Sequence, residues 1–254
     1  MNHPEKKLNV ALFITCLVDL FRPQVGFASV QLLEQANCSV TIPSQTCCGQ
    51  PAYNNGDQND ARQIAKKVIE TFKEFDYVVV PSGSCTGMIK KHYVELFKDD
   101  PVLENQARQL ADRTHELTAF LTDIVPLKKI DAQCSDTVTY HDSCSALREL
   151  KISNQPRQLL NKVSQLKFCE LSDSNVCCGF GGTFCVKYGA ISNKMVSDKV
   201  KNIQACGAKI VTGGDLGCLM NIAGKLQRNG IAVRVFHIAE ILANNMTAAI
   251  GETI

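Results

Sequence analysis

Thirteen cysteines stand out among the 254 residues, and eight of them fall into two matching sets of four. In each set a lone cysteine follows an apolar run, a Cys-Cys-Gly triplet comes next, and a fourth cysteine follows another apolar run. The second set repeats the first at offsets of 128, 130 and 133 residues, which indicates an internal duplication. The sets are Cys16, Cys47, Cys48 and Cys85, and Cys144, Cys177, Cys178 and Cys218.

Each set offers four thiolates, which are soft ligands that favour iron–sulfur clusters, zinc and cuprous copper. Four of them suit a four-iron cluster, in which each iron commonly takes one protein sulfur. Two adjacent cysteines point in different directions, so they serve neighbouring metals more readily than a single ion. The chain also has no Cys-x-x-Cys, the usual zinc-ribbon spacing. The pattern therefore predicts iron–sulfur clusters, with structural zinc and inert buried thiols as the alternatives.

Five further cysteines lie outside the two sets. Cys185 lies in the glycine-rich turn beyond the second triplet and is a weaker candidate for a spare ligand. The other four have no motif context and are expected to pack as small apolar residues; they are Cys38, Cys134, Cys169 and Cys206.

His141 and Asp142 stand just before Cys144. The expected arrangement is a histidine at the end of a strand, hydrogen-bonded to backbone. The alternative is a group that carries a proton or tunes the potential of a cluster.

Charge and composition exclude several other functions. Lys and Arg number 27 against 25 Asp and Glu, so the net charge of +2 gives no electrostatic basis for binding nucleic acid or an anionic membrane. Tryptophan is absent, and no apolar run reaches the ~20 residues of a membrane span. An odd number of cysteines without an export signal indicates a reducing compartment. We therefore expect a soluble, cytoplasmic protein with no nucleic acid partner and no membrane span.

Strands and helices alternate along both halves, which predicts an α/β fold of two pseudo-symmetric repeats, each a small mostly parallel sheet flanked by helices. The first repeat is expected in residues 1–125 and the second in residues 126–254. The first repeat has predicted strands Leu8–Thr15, Cys38–Ile42 and Tyr77–Val80, and predicted helices Phe27–Gln35, Asn59–Phe75, Met88–Phe97 and Asp99–His115. The second repeat has predicted strands Thr137–Tyr140, Lys167–Leu171, Lys209–Val211 and Ala232–Phe236, and predicted helices Pro156–Val163, Ala190–Ala205 and Asn221–Arg228.

Most of the motif cysteines fall just after predicted strands or at strand-to-helix turns. In open α/β sheets, ligands bind where loops converge at the carboxyl ends of the strands, so each set of four can meet in one crevice. The glycine after each Cys-Cys pair is expected to permit a positive φ or a close backbone approach. The runs Ser82–Ser84 and Gly213–Gly217 are expected to be flexible, with backbone amides that can donate to cluster sulfides.

The motifs resemble the cysteine-rich CCG domain family, which includes a subunit of heterodisulfide reductase and the iron–sulfur subunits of glycolate oxidase and anaerobic glycerol-3-phosphate dehydrogenase. The resemblance covers about Val10 to Ala243 and includes strings such as PSGSC, YHDSC and CCGFGGTF. It implies an iron–sulfur subunit of a complex that oxidises L-lactate to pyruvate, working with a second iron–sulfur subunit and a third subunit. It also implies one or two clusters of the [4Fe-4S] type, held by the eight motif cysteines.

The family pattern ends in Cys-x-x-Cys, whereas Met88 and Asn221 occupy the fifth-ligand positions in this chain. A noncubane cluster uses five cysteines, so an ordinary cubane, or a single well-formed cluster, stays open. The chain has no flavin or nicotinamide motif, and removing two electrons from a hydroxy acid needs a hydride or carbanion acceptor. We therefore expect electron transfer here and the organic chemistry on a partner. A heterodisulfide-reductase-like thiol/disulfide oxidoreductase is the alternative.

Overall fold

The computed structural model describes residues 7–252, in which the strands form two parallel four-stranded sheets. The strand order is β2-β1-β3-β4 in the first sheet and β6-β5-β7-β8 in the second, so both sheets have the same topology. The first sheet comprises Leu8–Leu12 (β1), Cys38–Thr41 (β2), Tyr77–Val80 (β3) and Thr114–Glu116 (β4). The second comprises Thr137–His141 (β5), Lys167–Phe168 (β6), Ile210–Gly213 (β7) and Arg234–His237 (β8). The predicted α/β fold with two similar halves is confirmed.

Helices connect the strands in both halves. The first half contains Cys16–Phe21 (α1), Pro23–Gln35 (α2), Gln50–Asn54 (α3), Gln58–Phe72 (α4), Gly83–Gly87 (α5), Tyr93–Leu96 (α6), Pro101–Arg113 (α7) and Leu117–Ala119 (α8). The second contains Asn154–Leu160 (α9), Phe184–Lys187 (α10), Gly189–Ala205 (α11), Leu216–Arg228 (α12) and Ile238–Leu242 (α13). In the described part of the chain, three π-helical turns extend helices or follow a cysteine, at Met88–His92, Phe120–Ile124 and Ser145–Glu149. No helix in this described range is long and apolar enough to cross a bilayer.

The central strands are buried because helices and loops cover them, as is usual for parallel sheets. Residues 10–12 of β1 and 78–80 of β3 have no exposed surface. The helix α4 is amphipathic and buries Ala61, Ala65, Val68, Ile69 and Phe72 at helical spacing. These apolar patterns are the reason that the main elements could be predicted.

Besides one apolar cluster in each half, the two halves share a third and larger one. The largest cluster of buried apolar side chains joins Val10 and Leu12 of the first sheet to Ile238 and Leu242 of α13. Across the same contact, the Arg22 guanidinium pairs with the buried Glu240 carboxylate, with Nε 2.9 Å from Oε1. The predicted division between residues 125 and 126 stays a prediction, and residues 1–6 and 253–254 lie outside the described range.

Two short strands differ from the prediction. Residues 114 and 115 are predicted as the end of a helix, but α7 ends at Arg113 and Thr114–Glu116 forms the edge strand β4. The Glu116 carboxylate then accepts hydrogen bonds from the Thr118 and Ala119 amides and caps α8. Pairing of β4 with β3 overrides the local helix propensity. A strand of only three residues is also too short to show a periodic pattern in the sequence. In the second half the strand predicted at Lys167–Leu171 is reduced to Lys167–Phe168.

The glycine runs near the fourth cysteines lie partly in regular structure, because Gly83 and Ser84 belong to α5, Gly213 ends β7, and Leu216 and Gly217 begin α12. Neither run is therefore a loop along its whole length, and the expected flexibility stays a prediction. Gly83 opens α5 and Gly217 lies in the first turn of α12. A Cβ on Gly83 would approach within 2.8 Å of the Ala146 Cβ of the other half, and a Cβ on Gly217 would overlap the Phe180 ring. These glycines allow close packing. The Ser84 amide donates to the Asp215 carboxylate at 2.9 Å, and is therefore not free for a sulfide.

Candidate metal centres

The sheet topology brings the four cysteines of each set to one edge. In the first half, the chain leaves β1 toward β2 on one side and returns to β3 on the other, which makes a switch point between β1 and β3. Cys16 opens α1 after β1, and Cys85 lies in α5 after β3. Thr15 and Ser82 cap these two helices, accepting hydrogen bonds from the Val18 and Cys85 amides respectively.

The first pocket is formed by Cys16, Cys47, Cys48 and Cys85. The Sγ atoms of Cys16 and Cys47 are 3.8 Å apart, and those of Cys48 and Cys85 are 3.2 Å apart. The adjacent cysteines thus face different partners, as the sequence pattern predicts. Cys48 and Cys85 are buried, whereas Cys16 and Cys47 line a cavity of ≈ 410 Å³ that opens to the surface.

The second pocket repeats this arrangement with Cys144, Cys177, Cys178 and Cys218. Cys144 lies against Cys177, and Cys178 lies against Cys218. Cys178 is buried, and the other three are half-buried. Both predicted sets are therefore brought together, although their role as ligands stays a prediction.

The glycine of each triplet has the predicted left-handed conformation, with φ of +82° at Gly49 and +84° at Gly179. In this conformation the Gly49 amide donates to the Cys47 sulfur at 3.4 Å, and the Gly179 amide donates to the Cys177 sulfur at 3.3 Å. Amide donation of this kind stabilises negative charge on a thiolate. The first cysteine of each pair is consequently the one whose charge the backbone supports.

The electrostatics of the two pockets match. Hydrogen bonds from the Cys16 and Cys48 thiols lower the pKa of Cys47 to about 2. Hydrogen bonds from Cys144 and Cys178 likewise lower the pKa of Cys177 to about 2. The interaction with these thiolates and burial raise the pKa of Cys16 and Cys144. The first cysteine of each Cys-Cys pair is therefore the thiolate that its pocket stabilises, and a bound cation would favour ionisation of the thiols whose pKa is raised.

These observations fit a thiolate-bound metal centre. All thirteen cysteines within the described residues are free, and the 3.2 Å and 3.8 Å separations far exceed the disulfide length of about 2.0 Å. The donors are soft, buried or half-buried, and converge from three separate segments in each half. Such a donor set suits iron–sulfur or zinc.

The carbonyl of the second cysteine in each triplet is held by a side chain that sequence analysis missed. Tyr93 Oη donates to the Cys48 carbonyl at 2.8 Å, and Asn221 Nδ2 donates to the Cys178 carbonyl at 2.9 Å. In the sequence, Asn221 stands out only as a missing ligand, and Tyr93 is simply one position in a helix. Both side chains hold the backbone of the Cys-Cys turn in place through its second carbonyl group.

His141 differs from the expectation. Its side chain is 1% exposed, and neither Nδ1 nor Nε2 has a hydrogen-bond partner among the described residues, so the predicted bond to backbone is wrong. One ligand atom from each of His141, Cys178 and Cys218 lies within 4.8 Å of the other two. Burial, together with the nearby Lys199 ammonium, lowers the pKa of His141 to about 3, so the imidazole is neutral.

The remaining cysteines lie in other surroundings. Cys38 begins β2 and is buried, as is Cys134. Cys169 donates to the Cys206 carbonyl at 3.1 Å, and Cys185 donates to the Gly182 carbonyl at 3.1 Å. Cys185 thus makes a local turn contact in α10.

The comparison with solved structures supports the fold. A crystal structure of a hypothetical protein from Helicobacter pylori matches with a TM-score of 0.68 at 13% sequence identity. The match covers 99% of this chain and 50% of that chain, so this chain spans half the length of its structural neighbour.

Sequence comparison identifies the family. The model of the CCG cysteine-rich domain matches residues 10–90 and 138–223, one copy in each half. Proteins named lactate utilization protein A from Shouchella clausii and Bacillus subtilis are 49% and 48% identical over 236 residues, covering 92% of this chain and 98% and 99% of theirs. The chain belongs to the cysteine-rich CCG domain family, in which it groups with the proteins named lactate utilization protein A.

Proposed function

We propose that this chain is an iron–sulfur electron-transfer subunit in the oxidation of L-lactate to pyruvate. Each pocket holds one cluster of the [4Fe-4S] type, bound through the four cysteines of its set. The observation that supports this most strongly is the convergence of four free thiols at the same edge of two equivalent sheets. The name of the curated relatives supports lactate as the metabolic context.

An iron–sulfur cluster supplies single-electron acceptance and release when it is bound. The chain contributes the donors and sets their electronic environment. Amide donation to Cys47 and Cys177 from the following glycines stabilises thiolate charge, and it favours the more negative, reduced state of whatever these sulfurs bind. The cavity beside Cys16 and Cys47 leaves one side of the first pocket accessible for electron exchange.

Converting a hydroxy acid into a keto acid removes two electrons and two protons. We assign that chemistry to a partner, because it needs a hydride or carbanion acceptor. The partners proposed from the resemblance are a second iron–sulfur subunit and a third subunit. Two centres in one chain would allow the two electrons to be taken up one at a time.

Anaerobic reconstitution tests this proposal. The protein should become brown and contain iron and acid-labile sulfide in near-equal amounts, and dithionite should generate a paramagnetic signal. Assays with a reduced dye and disulfide substrates should show no turnover, which separates this function from a heterodisulfide-type enzyme. Protein that stays colourless and binds no sulfide would contradict the proposal.

Structural zinc is the second candidate, and one distance favours it. Four thiolates around zinc, with Zn–S bonds of about 2.3 Å, have S···S edges of about 3.8 Å. The Cys16–Cys47 separation is also 3.8 Å. A cubane, which spaces its irons with sulfide, requires the sulfurs to move apart. Zinc in stoichiometric amount without sulfide, after growth and purification under anaerobic conditions, would support this second candidate.

A further inference from the structure

The second pocket contains an imidazole that has no counterpart in the first pocket among residues 7–252. His141 ends β5 three residues before Cys144, and its counterpart 128 residues earlier is Phe13. Phe13 packs in an apolar cluster, with its ring centroid 5.4 Å from that of Phe72. The two halves therefore have equivalent cysteines but differ in the side chain next to them, which is Phe13 in the first half and His141 in the second.

No hydrogen bond among the described residues explains a polar ring at the position of His141. Its two ring nitrogens lie buried without a hydrogen-bond partner among the described residues, and leaving a buried polar group unpaired destabilises the folded state. A phenyl ring at the equivalent position of the first half avoids that cost. The cost is recovered if a ring nitrogen binds something that the pocket holds.

Two cysteine sulfurs lie near the ring. A ligand atom of His141 lies within 4.8 Å of the Sγ atoms of Cys178 and Cys218, which are the pair on the buried side of the pocket. A neutral imidazole binds metals through its unprotonated nitrogen, and it is a common ligand of iron and zinc. Asn221 is engaged with the Cys178 carbonyl, so its amide is not the additional donor.

We propose that His141 is a fifth protein ligand of the second centre, alongside Cys144, Cys177, Cys178 and Cys218. This inference rests on the proposed function, because it requires a metal centre in that pocket. It makes the two centres inequivalent, with four thiolates in the first and four thiolates and one nitrogen in the second. Five protein donors exceed the four of an ordinary cubane, so the four-cysteine cubane proposed above then applies to the first pocket alone. A neutral nitrogen donor adds no negative charge, so His141 gives the second centre a higher reduction potential than a fifth thiolate would.

Pulsed paramagnetic resonance on the reconstituted, reduced full chain tests this directly. The chain is produced once with ¹⁵N-histidine and once unlabelled, and iron and sulfide are quantified in both samples. We expect a strongly coupled histidine nitrogen that changes isotope with the label. The coupling should be lost in His141→Phe, which copies Phe13, and retained in the control His92→Gln. His92 lies outside both sets and faces Glu149.

A second variant guards against misfolding of the first. His141→Cys keeps a donor at the position, and it should remove the nitrogen coupling and lower the midpoint potential of one centre. Full iron and sulfide without histidine coupling in the wild type, or coupling that persists in either His141 variant, would overturn the assignment of His141 alone. Absence of iron and sulfide from the wild type would instead overturn the proposed function, and the ligand assignment with it.

Discussion

At the scale of single residues, the protein depends on two Cys-Cys-Gly turns in which each cysteine has a different neighbour. Cys47 faces Cys16, and Cys48 faces Cys85, while the left-handed Gly49 directs its amide back to Cys47. The eight cysteines could be predicted because the duplication separates them from the other five. For His141 the sequence predicted a hydrogen bond to backbone, with a group that carries a proton or tunes a cluster potential as the alternative. Its lack of hydrogen-bond partners among the described residues arises from packing and has no sequence signal.

Replacing one motif cysteine tests the role of a whole pocket. Cys48→Ser should remove about half of the bound iron and sulfide, because the first pocket loses a buried soft ligand while the second is untouched. The measurement is iron and sulfide per chain after anaerobic reconstitution. Cys185→Ser is the control, since a serine hydroxyl can keep the contact with the Gly182 carbonyl. Equal losses in the two variants would contradict the assignment of ligands.

At the scale of elements, the helices that contain the fourth cysteines are tied to each other across the two halves. Ser82 and Asp215 are equivalent N-cap residues of α5 and α12, and Ser82 Oγ donates to Asp215 Oδ2 at 3.2 Å. Asp215 also accepts from the Ser84 amide. One carboxylate of the second half thus helps to fix the helix that presents Cys85.

Asp215→Ala should therefore weaken the first centre, although the residue belongs to the second half. Losing an outer partner of a metal ligand typically costs about 10–100-fold in metal affinity, and iron should be lost correspondingly faster to a chelator. Asp57→Ala is the matched control, because it removes an exposed N-cap of α4 in which the Asp60 amide donates to the Asp57 carboxylate. Iron release at the wild-type rate in Asp215→Ala would show that this cap does not position the centre.

Prediction of the elements succeeded where an apolar pattern was long enough. Tyr77–Val80 is a strand at the predicted residues, and Ala190–Ala205 differs from α11 by one residue. The start of α12 lies five residues before the predicted one, because Gly213–Gly217 has the composition of a loop. Glycine is needed at position 217 because any larger side chain would overlap the Phe180 ring. This contact joins two separate segments, so local helix propensity cannot predict it.

At the scale of the whole molecule, a shared apolar core and a buried ion pair hold the halves together. The Arg22 guanidinium contacts Glu240 and the backbone carbonyls of Ala248 and Ala249. Burial raises the pKa of Glu240, and Arg22 opposes that effect. The pair lies far apart in sequence, so neither partner could be identified from its surroundings along the chain.

Arg22→Met should destabilise the protein by about 3–5 kcal/mol, because it leaves the Glu240 carboxylate buried without a partner. Adding Glu240→Gln should recover part of that loss. Urea unfolding of the two variants and the wild type measures the changes, and Lys73→Met is the control, since its pair with Glu70 is exposed and should change stability little. A loss in Arg22→Met no larger than that of the control would argue against the pair as a link between the halves.

Anomalous diffraction from anaerobically grown crystals of the reconstituted chain tests the central claim most directly. Maps from data collected at the iron and zinc absorption edges would locate each metal relative to the cysteines. We expect iron at two places, one among Cys16, Cys47, Cys48 and Cys85 and one among Cys144, Cys177, Cys178 and Cys218. Zinc at those places, or iron bound only by other cysteines, would contradict it.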